Sequence, residues 1–162
     1  MTRALAASLG LEVLELDALR HQPGWVPMPD EECRSRVAAF TAGERWIVDG
    51  NYFDVVTRDL VWPRADAIVW LDLPRSLVIR RLLRRTLRRA FRREVLGNGN
   101  REQLRNIFRL DDRNIVRYAW TSQGERRARF EEGLVGLDAE LARLRTPTAV
   151  KAFLRGVQEG GE

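Results

Sequence analysis

Cysteine is almost missing from this 162-residue chain, with Cys33 standing alone. A single thiol forms no intramolecular disulfide, and Cys33 with the only histidine, His21, is too little for a zinc site. Lysine is equally scarce, since Lys151 is the one lysine among 28 basic residues. No apolar run approaches the ~20 residues that a membrane-spanning helix needs. The N-terminal stretch carries Arg3 and a short apolar run broken by Glu12, a poor signal peptide. The expected setting is therefore soluble and cytoplasmic, with no membrane partner. Internal repeats and low-complexity linkers are also lacking.

What is present is an ordinary globular balance, 44% hydrophobic and 31% charged, with a net charge of +5 and a pI near 10.5. The length suits one domain with a real core, expected over residues 1–158 with a frayed tail at 159–162. The positive charge is nearly all arginine, whose planar forks suit phosphate or carboxylate. A genomic bias toward arginine codons would give the same composition without any functional demand.

The stretch Arg45-Trp46-Ile47-Val48-Asp49-Gly50-Asn51-Tyr52 organises the rest. Trp46 to Val48 reads as a short, fully buried strand, and Asp49-Gly50-Asn51 is turn chemistry that stops it. In open α/β sheets, ligands bind beyond the carboxyl ends of the strands, which places Asp49 at such a crevice. The alternative is an Asx-turn that only shapes the loop. Before it come a helix over residues 2–9 stopped by Gly10, an alternating strand over 11–16 closed by Asp17, and a loop over 18–29 with three prolines. In that loop, Trp25 is either an aromatic wall for a planar substrate or a plug anchoring the loop to the core. Asp30-Glu31-Glu32 opens the next helix, with its carboxylates at the positive end of the dipole. Beyond Tyr52, a short helix reaches Leu60. The run 67–73 reads as a strand buried on both faces, and Pro74 fits the first turn of a helix.

That helix holds eight arginines and no carboxylate across residues 80–93. Its apolar and basic pairs repeat every four residues, whereas a helix turns every 3.6, so the stripe drifts by roughly 40° per repeat. Its start should pack on the core and its end should project as an arm. Such an arm would meet a phosphate ligand or a nucleic acid, or it is a solvated helix neutralised by Glu94, Glu102, Asp111 and Asp112. A tight loop at 97–100, a helix over 101–120, a second over 122–136, a strand or helix over 141–145 and a C-terminal helix from Thr146-Pro147 complete the pattern. Alternation of this kind implies α/β architecture with a parallel sheet.

Several motifs resemble one family. Asp49-Gly50 after its strand looks like the Asp-Gly of adenylate kinases, and residues 66–74 followed by Arg81 and Arg85 look like their next strand and lid-leading helix. His21-Gln22-Pro23-Gly24-Trp25, Asp49-Gly50-Asn51-Tyr52, Trp62-Pro63-Arg64-Ala65-Asp66 and Asn98-Gly99-Asn100-Arg101-Glu102, in that order, resemble the adenylate-kinase-like P-loop proteins of bacteria called topology modulation proteins. The resemblance implies a P-loop nucleoside/nucleotide-kinase-like three-layer sandwich with a parallel sheet and a helical lid at about 84–105. It implies that Arg81 stacks on a nucleotide base, that Arg85 contacts phosphate, and that Arg88, Arg89 and Arg92 belong to the lid. Asp49 would hold a magnesium ion through water. Asp17 would bind or deprotonate the acceptor, with Trp25 and Asn51 bordering its pocket. The cofactors implied are ATP and Mg²⁺.

One departure stands out. The family's first strand and its G-x-x-x-x-G-K-[ST] loop, whose backbone amides and lysine hold the phosphates, are not found in these 162 residues. Met1 to Ala7 resemble the helix that follows that loop. The expectation is a start lying upstream or a natural truncation, with weak ATP binding and no useful hydrolysis by the chain as it stands. Two function classes follow: a nucleotide-dependent small-molecule phosphotransferase, or a basic nucleic-acid-binding protein acting through helix 80–93 without catalysis.

Overall fold

The computed structural model describes residues 1–91, 99 and 115–160. Arg92, the Asn98-to-Glu102 motif apart from Gly99, the remainder of the expected lid, and Asp111 and Asp112 lie outside the described residues. The protein is mixed α/β, with two small parallel sheets and several helices. It falls into two compact units, Met1–Leu71 with Gly136–Glu162, and Asp72–Val135.

In the first unit, α1 (Thr2–Leu9) ends at Gly10 in the left-handed conformation, φ 61°, which glycine adopts without the penalty a Cβ brings. Strand β1 (Glu12–Glu15) pairs in parallel with β2 (Trp46–Asp49), Glu15 opposite Asp49. Strand β3 (Ala67–Leu71) pairs in parallel with β4 (Glu140–Leu144), which settles the strand-or-helix ambiguity at 141–145. Leu144 is buried there, and Arg143 lies 4.0 Å above the ring of its register partner Trp70.

The expected single sheet is thus two separate pairs among the described residues. Each pair offers little area, so its strands are covered incompletely. Trp46, Ile47 and Val48 are half-buried rather than fully buried, and β3 buries only Ile68 and Trp70, leaving Ala67 and Leu71 exposed. The densest packing lies elsewhere, around Leu16, Met28, Cys33, Val37 and Val56, all essentially without solvent contact. Helix α3 (Asp30–Phe40) supplies two of these and packs against the wide-turned π-helix Phe53–Val61. The Arg34 guanidinium donates to the Val55 carbonyl to link them. At the C-terminus, Thr146 caps helix α6 (Pro147–Glu159) by accepting from the Ala149 amide, and Pro147 takes the first turn.

The second unit contains α4 (Arg75–Phe91) and α5 (Ile115–Gly133), which pack on each other. Helix α5 runs unbroken through Thr121 and Ser122, where two separate helices were expected. Gln123 ties it to the start of α4, donating to the Leu73 carbonyl and accepting from Arg75 Nε. Arg127 pairs at 2.8 Å with Asp72, whose side chain is only 7% exposed.

Candidate functional site

The loop expected over 18–29 is largely structured. Helix α2 (Leu16–Arg20) begins directly after β1, so Asp17 sits in a first helical turn rather than ending the strand. Leu16, fully buried, anchors that turn. Arg20 fastens the rest, with one nitrogen on the Met28 carbonyl and another on the Asp30 carboxylate. Between these anchors the chain folds back on itself: Gln22 donates to the Val26 carbonyl, Met28 to the Arg20 carbonyl, and His21 bridges Pro27.

Trp25 stands at the tip of this fold. Its ring is 42% exposed, so it does not plug the core, and it meets His21 edge-on with ring centroids 5.3 Å apart. Its φ is +63°, uncommon for a bulky residue. Backbone strain of this kind costs about 1–3 kcal/mol and clusters at ligand clamps.

Tyr52 arrives from the other strand. Its amide donates to the Thr57 hydroxyl at 3.1 Å, and its carbonyl accepts from Val55, Val56 and Thr57. Thr57 is itself buried, so the first turn of the π-helix fixes the Tyr52 backbone. The phenol donates to Asp17 Oδ1 at 3.0 Å and lies 3.2 Å from His21 Nε2. The phenol has one hydrogen and gives it to Asp17, so toward His21 its oxygen accepts, and Nε2 is the protonated nitrogen.

Gly50 makes this convergence possible. Its φ is +125°, and a Cβ there would lie 3.0 Å from the Leu16 Cβ. The turn after β2 therefore rides directly over the start of α2, which places Tyr52 beside Asp17. The outcome is an exposed carboxylate held by a phenol, with an imidazole and an indole next to it, at the carboxyl end of two parallel strands. Asp49 and Asn51, both exposed, lie at the same strand end.

Burial, and after it the neighbouring Asp17 carboxylate, push the Tyr52 phenol far above its ordinary 10.0. Burial likewise raises the Cys33 thiol, against the opposing influence of Arg20. The folded chain thus holds the Tyr52 proton more tightly than the unfolded chain. The resulting stability is full below the unfolded value of 10.0 and is lost as the pH climbs past it toward the folded value. Urea midpoints taken from about pH 9 to about pH 11 should fall more steeply for the wild type than for Tyr52→Phe. Parallel curves would mean that the phenol ionises equally easily in both states.

Of the residues singled out in the sequence, Asp17 and Trp25 come together around His21 and Tyr52, which sequence reasoning had left without a role. The signal for Tyr52 was its place three residues after Asp49; nothing marked Thr57. Arg81, Arg85, Arg88 and Arg89 belong to the second unit, on α4, where the first three are exposed and Arg89 is half-buried. Among the described residues no cluster of three or more His, Cys, Asp or Glu could hold a metal ion, and no helix is long and apolar enough to cross a membrane. Comparisons with protein-family models, curated proteins and solved structures give no match.

Proposed function

We propose that the chain is a phosphotransferase of the P-loop nucleotide-kinase-like class, and that the first unit holds its acceptor site. The observation that carries this reading is the Tyr52 phenol bridging Asp17 and His21 at the carboxyl end of β1 and β2. A carboxylate accepts up to about four hydrogen bonds, and Tyr52 uses one on Oδ1, which leaves room for an acceptor hydroxyl. Bound there, that hydroxyl would give its proton to Asp17 as its oxygen bonds to the γ-phosphorus of ATP and the bond from that phosphorus to the bridging oxygen breaks, ADP leaving with the electron pair. His21 and Trp25 offer an edge and a face for a planar or ring-shaped acceptor, and Asn51 a polar border. On this reading Asp49 would reach Mg²⁺ through water, and Arg81 and Arg85 of α4 would meet the nucleotide. ATP is then the phosphoryl donor, although these 162 residues carry no G-x-x-x-x-G-K-[ST] loop.

Acceptor binding tests this without needing catalysis. Ligand-observed NMR with a panel of nucleosides, sugars and amino alcohols should find a binder whose signal is lost in Tyr52→Phe and His21→Ala, and kept in Arg81→Ala. A panel with no binder, or binders indifferent to Tyr52 and His21, would sink the reading.

A further inference from the structure

Helix α4 carries six arginines between residues 80 and 89 and no carboxylate along its whole length. At about 100° per residue, Arg80, Phe91, Arg84 and Arg88 fall within a sector of about 80°, whereas Arg81, Arg85 and Arg89 lie outside it. These four residues all face solvent, and Phe91 is 82% exposed. Arg80 and Arg84 take part in none of the ion pairs among the described residues. Arg80, Arg84 and Arg88 climb the helix in steps of about 6 Å, one row of guanidinium groups ending at an aromatic ring. Exposing such a ring costs free energy, and the like charges of Arg80 and Arg84, one turn apart, repel one another. A polyanion with flat, stackable groups relieves both.

We propose that this row is a track for single-stranded nucleic acid. The arginines neutralise successive phosphates, and Phe91 stacks on a base. Single strands are favoured because a base must be unstacked to meet the ring. A lipid surface fits less well, since an interfacial helix needs a broad apolar face to insert. The apolar side of α4 is already engaged in its own unit, with Thr86 buried and α5 packed against the helix, while Leu87 and Phe91 are its large apolar residues that are exposed among the described ones.

Fluorescence anisotropy with a labelled oligothymidylate tests the track across a salt series. At roughly −0.7 per phosphate neutralised on a single strand, the slope of log K against log salt should be shallower by roughly 1.4 in Arg80→Gln/Arg84→Gln than in the wild type. The charge-preserving pair Arg80→Lys/Arg84→Lys should keep the wild-type slope, which separates lost charge from lost folding. Phe91→Ala should weaken binding about tenfold at an unchanged slope, because stacking carries no counterion term. The proposal is overturned if the wild type does not bind, if the Gln pair and Phe91→Ala match the wild type, or if anionic phospholipid vesicles compete at the same phosphate concentration.

Discussion

Asp17→Ala is expected, if Asp17 holds the hydroxyl of the proposed acceptor, to weaken acceptor binding by about 10- to 100-fold, the worth of a hydrogen bond to a charged group at about 1.5–3 kcal/mol. The loss has two parts. The acceptor hydroxyl loses its carboxylate, and the Tyr52 phenol loses the oxygen that orients it. A double-mutant cycle separates them. If Tyr52 acts by holding Asp17, adding Tyr52→Phe to Asp17→Ala should cost little more, and the two effects should be strongly non-additive. Additive losses would mean that each residue touches the ligand independently. If Asp17 is the base of the proposed phosphoryl transfer, Asp17→Asn keeps the shape but removes it, and a positioned base contributes about 10²- to 10⁴-fold. A kcat unchanged by that substitution would leave Asp17 a binding residue only.

The second large effect concerns stability. Gly50→Ala forces a Cβ onto a backbone at φ +125° and against Leu16 at 3.0 Å. Leu16 is fully buried and cannot swing aside. Strain of this kind costs about 1–3 kcal/mol before the clash is counted, and crowding in a packed core adds a comparable amount. At about 2–4 °C per kcal/mol for a chain of this size, the melting temperature should drop by about 5–15 °C. Gly43→Ala is the control. Its Cβ would meet only the Phe40 carbonyl oxygen, at 3.5 Å, and its φ is ordinary. If both variants melt alike, the turn after β2 tolerates a side chain, and the close approach to α2 does not hold Tyr52 in place.

The sequence was most legible where local chemistry decides local structure. Gly10 as a helix stop, the acidic first turn of α3, the Trp46 strand and the Thr146-Pro147 start all needed only neighbours in sequence. The drift of the α4 stripe was legible too: Leu82 and Leu83 are partly covered, while Leu87 and Phe91 turn outward. What was illegible depended on distant contacts. Residues 16 and 17 look like the end of a strand and 18–20 like a loop because prolines crowd the next ten positions, yet the burial of Leu16 and the two anchors of Arg20 make 16–20 a helix. Trp25 reads as a plug on hydrophobicity alone, whereas the turn at Gly24 carries it outward. The Asp17–Tyr52 hydrogen bond joins residues 35 positions apart, and only the register of β1 with β2 reveals it.

The pairing of β3 with β4 has a consequence for the order of assembly. Their register partners are separated by roughly seventy residues, about twice the span that β1 and β2 must close. Closing the longer span costs only about 0.6 kcal/mol more in chain entropy, so the difference lies in time rather than in stability. Non-local parallel pairing is slow, whereas helices form within about a microsecond. During refolding, β3 would therefore wait, with Ile68 and Trp70 uncovered, until the chain from Asp72 to Val135 had collapsed enough to bring β4 back. That interval is when this protein is most exposed to self-association. Dilution, more than added salt or lower temperature, is what should raise its yield of refolded protein.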